Sequence, residues 1–314
     1  ELTGEQALKL LQAVRRASRL SAAVSTIRFE SVAFPDLVLM PGRYEVVVRR
    51  GVGQREFDAV TASRLDARGQ TEFEIKPPMS PDGKAEFRLF ASQWQAGVGP
   101  AVVWSEATAQ GDFSAGRLQV ESFSVGARFG NLNGSALVEQ DGQGWRLTGT
   151  ARSADVAIEE LIRYLASPAG ADAPAESTAS TPFRGIAKID LALAGAGTTA
   201  AEALRRAVAS GPVSVSGATW AGMNLGLAAT QGSAIGAGGM TRLTDLDLVA
   251  TGSADGLVVR NLAGRAGSLR VRGGFSVDRQ LQLRGAIRSE VASPRGVAGV
   301  DIRLGGTVSA PTYQ

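Results

Sequence analysis

Six residues in the middle of the chain have the spacing of a dinucleotide-binding turn. Gly195-Ala-Gly197-Thr-Thr-Ala200 has the form G-x-G-x-x-A and lies between an alternating apolar segment and a helix-forming one. In such a turn the glycines let a pyrophosphate approach the backbone at a helix N-terminus, and an acid about 20 residues on binds the ribose. Here the next strand ends at Val215-Ser-Gly-Ala-Thr-Trp220 without an acid. We therefore predict a strand, a capped helix and a strand that bind no nucleotide cofactor.

The chain lacks most of the side chains that activate nucleophiles or bind transition metals. The 314 residues include no histidine and no cysteine. Ser-His-Asp and Cys-His catalysis, thiolate chemistry and zinc sites built from His or Cys are excluded, while a carboxylate-only or Ser-Lys mechanism survives in principle. Because the acids and arginines are dispersed, no catalytic pair stands out. We predict a protein without catalytic activity, without a metal and without a cofactor.

The charge pattern argues against a nucleic-acid partner. Lys and Arg total 33 and Asp and Glu total 30, the arginines are scattered, and aromatic residues make up 6% of the chain. A nucleic-acid binder would cluster basic residues and interleave aromatic ones. No apolar run reaches the roughly 18 residues of a membrane-spanning helix. The sequence starts at Glu1 without a signal-peptide pattern, so we expect any membrane anchor to lie outside this chain.

Most of the chain alternates apolar and polar residues with period two, which is typical of strands with one buried face. Turn signals such as Pro81-Asp82-Gly83 and Asp278-Arg279 join many of these segments. This pattern predicts a mainly β fold, a long antiparallel meander that holds more than half of the residues. The apolar faces could form either the closed core of a two-sheet sandwich or the floor of an open groove.

Three helices are predicted to interrupt the meander, near residues 4–20, 157–166 and 199–209. The first and third open on the capping boxes Thr3-Gly-Glu-Gln6 and Thr199-Ala-Ala-Glu202, and Gly211-Pro212 stops the third. Between the second helix and the next strand, residues 167–182 are rich in Ala, Pro, Ser and Thr. That composition predicts a mobile loop or linker.

The segment from residue 182 to 225 resembles the central signature of the AsmA-like C-terminal region. In that family a strand ending in G-x-G-x-T precedes a short helix, and a strand of the form G-x-V-x-V-x-x-G-x-x-x-G-x-(D/N)-L follows. The matching positions in this chain are Gly195, Gly197, Thr198, Leu204, Gly211, Val213, Val215, Gly217, Gly222, Asn224 and Leu225. The resemblance therefore covers the strand, the helix and the next strand.

The resemblance extends on both sides of this signature. Upstream, glycine-punctuated hairpins lead into an Asp-Val-x-Ile-x-x-Leu-Ile helix that starts near Asp155. Downstream, Thr244-Asp-Leu-Asp-Leu and Leu304-Gly-Gly-Thr-Val-Ser-Ala-Pro311 are similar to the family's last strands. We therefore assign residues 111–314 to an AsmA-like β-groove region and residues 1–110 to a preceding helix and β region of unclear family.

The resemblance to these bacterial relatives of bridge-like lipid-transfer proteins implies a fold and a function. The fold would be an elongated, curved antiparallel sheet whose apolar inside is open along its length. The function would be non-catalytic binding and transfer of phospholipid or another acyl lipid in outer-membrane and envelope biogenesis. The protein would be periplasmic and anchored to the inner membrane through a segment absent from this chain, with envelope proteins as partners. The groove-lining candidates are Ile189, Leu191, Leu193, Val213, Val215, Leu246, Leu248, Leu269, Val271, Leu281, Leu283, Ile302 and Leu304.

A second function stays open beside lipid carriage. The sheet could belong to a structural or scaffolding component of an envelope or type II secretion-like machine that acts through protein contacts.

Overall fold

The computed structural model describes residues 24–33, 38–50, 57–64, 71–76, 85–95, 103–114, 116–142, 144–166 and 182–314. This part of the chain is mainly β, with 76% of it in strands, and forms a curved antiparallel sheet that is not closed. The predicted fold class is thereby confirmed. The helix predicted at residues 4–20 and the loop predicted at 167–182, apart from Pro182, lie outside the described residues.

The chain divides into two compact units. The first unit comprises Glu1–Ala127, Leu132–Thr150 and Leu193–Ala207, and the second comprises Arg128–Asn131, Ala151–Ala192 and Val208–Gln314. The boundary predicted between residues 110 and 111 falls inside a strand of the first unit, Val103–Ser114.

Seven successive strands of the first unit form an antiparallel meander. They are β1 (Val24–Ala33), β2 (Val38–Arg50), β3 (Phe57–Arg64), β4 (Thr71–Lys76), β5 (Ala85–Gln95), β6 (Val103–Ser114) and β7 (Arg117–Ala127). Each pairs with the next one along the chain. Three further strands contribute residues to both units, namely β8 (Gly130–Asp141), β9 (Gly144–Ala157) and β10 (Phe183–Gly197).

The core of the first unit comes from one face of these strands. Ala91 pairs with Ala107, which pairs with Val125, so the three side chains share a face, and all three are buried. Phe123 and Leu132 pack against them. The two alanines therefore leave room for the larger Phe123 and Leu132 side chains, as close packing requires.

Two of the predicted helices are present. Helix α1 spans Ile158–Ala166, as predicted, and α2 spans Ala200–Arg205. The predicted end of α2 near residue 209 is wrong, because the chain is already extended from Val208 onward and Ala209 pairs with Gly252. Strand pairing thus overrides the helix propensity of the last predicted turn.

The second unit holds most of the remaining elements. They are β11 (Val208–Met223), α3 (Leu225–Gln231), α4 (Ser233–Gly236), β12 (Ala237–Arg242), β13 (Asp245–Ser253), β14 (Gly256–Ala266), β15 (Leu269–Asp278), β16 (Leu283–Ser293), β17 (Gly296–Gly306) and β18 (Pro311–Tyr313). The later part of β11 pairs with β12 and the earlier part with β13. From β13 to β18 each strand pairs antiparallel with the next.

A hydrogen bond between the first and last strands of this series shows how strongly the sheet curves. The Trp220 indole N–H on β11 donates to the Tyr313 hydroxyl on β18 over 2.7 Å. Six strand-to-strand steps separate β11 from β18, which in a flat sheet would span about 29 Å. The sheet of the second unit therefore rolls toward the face that carries these two side chains, and this face is concave.

Candidate functional site

The glycines of the dinucleotide-like turn serve packing. A Cβ on Gly195 would overlap the carbonyl oxygen of Ala203, and one on Gly197 would lie 2.6 Å from the Ala203 nitrogen. The Glu202 carboxylate accepts hydrogen bonds from the Thr198 amide at 2.7 Å and the Thr198 hydroxyl at 2.6 Å. A side chain of the helix itself thus satisfies the amide that a phosphate-binding turn would present to its ligand.

The strand register identifies which residues share the concave face of the second unit. Val215 pairs with Leu246, and Val271 pairs with Ser289. The Ser289 hydroxyl donates to the Leu225 carbonyl oxygen, so helix α3 lies on the same face. Alternation places the apolar candidates of β13, β15, β16 and β17 on this face too, as the sequence predicted.

The thirteen candidates differ in exposure. Seven of them are buried: Val213, Val215, Leu269, Val271, Leu283, Ile302 and Leu304. Six are partly exposed: Ile189, Leu191, Leu193, Leu246, Leu248 and Leu281. The apolar face is therefore partly a packed core and partly open to solvent.

The packed part lies beneath helix α3, which sequence reasoning missed. Leu225 is fully buried, and α3 contacts β12, β16 and β17. Two hydrogen bonds hold the first turn of α3 in place. The Leu225 amide donates to the Thr241 hydroxyl, and the Leu227 amide donates to the Asn224 side chain. At this end of the concave face the helix takes the space that the prediction gave to a ligand.

Away from α3, residues that are partly exposed or, at Leu257, exposed form a band across the concave face that we call the half-open strip. Its members are Ile189, Leu191, Leu248, Ala250, Gly252, Leu257 and Val277. The members lie on β10, β13, β14 and β15, and β11, which contributes no member, passes between β10 and β13. Gly252 pairs with Ala209 of β11 on one side and with Leu257 on the other. Five strands at about 4.8 Å give it a length of about 19 Å.

Two glycines near the strip have opposite surroundings. A Cβ on Gly252 would meet no atom within 4 Å, so the strip is open above this residue. A Cβ on Gly211 would overlap the carbonyl oxygen of Asp190, because β10 and β11 approach closely there. Gly252 therefore leaves room over the sheet, whereas Gly211 allows the strands to pair.

Three of the six partly exposed candidates lie outside this strip. Leu246 shares the concave face but pairs with the buried Val215. The prediction that Leu281 lies on a strand with Leu283 is wrong. Strand β16 begins at Leu283, and Leu281 adopts a φ of 58° in the preceding turn. Its carbonyl oxygen accepts from the Val308 amide. Leu193 belongs to the first unit.

An aromatic cluster on the concave face was not predicted from the sequence. The rings of Phe183 and Trp220 lie 4.8 Å apart, and those of Trp220 and Tyr313 lie 6.1 Å apart. Burial raises the pKa of Tyr313, and its hydrogen bond from Trp220 acts in the opposite direction. The only local signal for this end of the site was the Asn224-Leu225 pair, whose Asn caps α3 and whose Leu is buried.

Charged side chains of the second unit pair on its surface. Arg152 and Asp190 lie 2.9 Å apart, and Arg288 and Asp301 lie 3.1 Å apart, with all four side chains more than half exposed. In the described ranges, no three acidic residues come together as a metal site would require. The same ranges contain no helix with the length and hydropathy needed to cross a bilayer.

Comparison of the chain with protein-family models, with curated proteins and with solved structures found no match in any of the three sets.

Proposed function

We propose that this protein binds the acyl chain of a phospholipid or another acyl lipid along the half-open strip. The observation that carries the proposal is the partial exposure of apolar side chains on a concave face, at Ile189, Leu191, Leu248 and Leu257. A bound acyl chain would remove these side chains from water, with a gain of about 0.8 kcal/mol for each methylene buried. The polar head group would stay in water at the rim.

The wider role follows from the same proposal. A carrier of this kind needs no catalytic residues, which agrees with a chain that lacks histidine and cysteine. The AsmA-like resemblance supports a periplasmic protein that works in envelope biogenesis, tethered to the inner membrane by a segment outside this chain. We place the acyl site on the half-open strip and not under α3, because the latter region is filled by protein.

The test measures lipid carried by the purified protein. Organic extraction and mass spectrometry should detect acyl lipid in the unmodified chain and much less in Gly252→Leu, whose side chain would fill the open space over the strip. Ala263→Leu is the matched control, because Ala263 is exposed and pairs with Asp247 on the convex side. Equal lipid in all three proteins, or none in any, would refute the acyl site.

A further inference from the structure

The segment between Arg206 and Arg242 has an unusual charge pattern. Every residue from 207 to 241 is uncharged. This stretch contains β11, α3, α4 and β12, and it ends on the exposed Arg242. Surfaces of soluble domains normally mix charges of both signs, so the outer side of these elements is unlike the rest of the unit.

Four large apolar side chains on this segment are exposed, and three of them lie on α3, α4 and β12; the fourth, Val208, is 36% exposed at the start of β11. Leu227 on α3 is 40% exposed, Ile235 on α4 is 57% exposed and Met240 on β12 is 49% exposed. Helix α4 contacts both α3 and β12, so the three elements adjoin. We call Leu227, Ile235 and Met240 the outer patch. The inner side of α3 is already buried through Leu225 and Ala228, so the outer patch is not needed for the core.

We propose that the outer patch docks on the surface of a lipid bilayer. An uncharged apolar tip can enter the boundary between head groups and acyl chains, and a cation beside it attracts anionic lipid. Arg242 supplies that cation. A protein partner is the competing occupant, because Met and Arg are also enriched at interfaces between proteins, and the tests below separate the two occupants.

A fluorescent probe can locate the contact, since the chain contains no cysteine. An environment-sensitive dye on Ile235→Cys should shift to the blue when vesicles of phosphatidylethanolamine and phosphatidylglycerol are added. The same dye on Val297→Cys is the control, because Val297 is 69% exposed on β17, outside the patch. Equal responses at the two positions, or no response at Ile235→Cys, would overturn the proposal.

Co-sedimentation with the same vesicles tests the patch as a whole. The triple variant Leu227→Glu, Ile235→Glu, Met240→Glu should bind at least about tenfold more weakly, and Arg242→Glu should lose about fivefold on anionic vesicles only. Val297→Glu should bind as the unmodified protein does. If the triple variant is unstable, vesicle binding by the single variant Ile235→Glu tests the proposal instead. Vesicle binding by these patch variants that equals that of the unmodified protein would refute docking.

The proposal of docking on a bilayer and the proposal of an acyl site can be refuted independently. The docking proposal does not depend on the acyl site, and extraction of the soluble triple variant reports the latter directly. Retained lipid with lost vesicle binding supports both proposals. Vesicle binding by a protein that carries no lipid leaves docking in place and removes the acyl site, whereas a protein that binds another protein but no vesicle overturns docking.

Discussion

Leu248 and Val271 occupy the same concave face, yet their surroundings differ. Leu248 is partly exposed on the half-open strip, and Val271 is 1% exposed. Aspartate at residue 271 would place a charge in a packed core, so we expect Val271→Asp to lose on the order of 3–5 kcal/mol of unfolding free energy. Leu248→Asp should lose about 1–2 kcal/mol, because water reaches the carboxylate, and should release bound lipid.

Urea unfolding and lipid extraction on both variants check this prediction. The sequence analysis assigned both residues to one open groove, and in such a groove the two substitutions would have the same effect. A folded Val271→Asp protein would mean that α3 does not seal that end of the face. A Leu248→Asp protein that keeps its lipid would place the acyl chain elsewhere.

Tyr313 offers a second test at single-residue scale. Tyr313→Phe would leave the buried Trp220 indole N–H without the acceptor it has at 2.7 Å, which should cost about 1–2 kcal/mol. Burial raises the pKa of the Tyr313 hydroxyl above its ordinary value of 10.0. Below pH 10.0 the hydroxyl is protonated in both the folded and unfolded states, and above it the unfolded state ionises first.

Stability should therefore fall as the pH rises past the unfolded pKa, and this contribution should be absent from Tyr313→Phe. Measuring the unfolding free energies of both proteins at about pH 8 and at about pH 10.5 would show the difference. Parallel decreases in the two proteins would show that another group causes the alkaline loss.

At the scale of the strand, Gly211 and Gly252 make a matched pair. Gly211→Ala would force β10 and β11 apart at the Asp190 carbonyl, and we expect a loss of about 2 kcal/mol or more. Gly252→Ala meets no atom and should change stability by less than about 0.5 kcal/mol. The midpoints of urea denaturation compare them, and equal midpoints would contradict the close approach of the two strands.

Some helices of this chain could be predicted from the sequence, and one could not. The Thr199 cap and α1 could be predicted, because a capping box and an apolar stripe are local signals. Helix α3 could not, since Leu225-Gly-Leu-Ala-Ala-Thr-Gln is too short to be stable alone and depends on contacts with Thr241 and Ser289. Alternation likewise predicted the faces of the strands, but whether a face is covered depends on residues that are distant in sequence.

At the scale of the whole molecule, lipid and stability should be linked. A ligand that binds only the folded protein adds about 2.7 kcal/mol at 100 times its Kd. The half-open strip spans about 19 Å, so affinity should rise from octanoyl to about hexadecanoyl lipid and then level off once the strip is full. Thermal melting of delipidated protein with lipids of increasing chain length measures both effects. Stabilisation that is the same for every chain length, or that persists in Gly252→Leu, would place the binding energy in the head group and not in the strip.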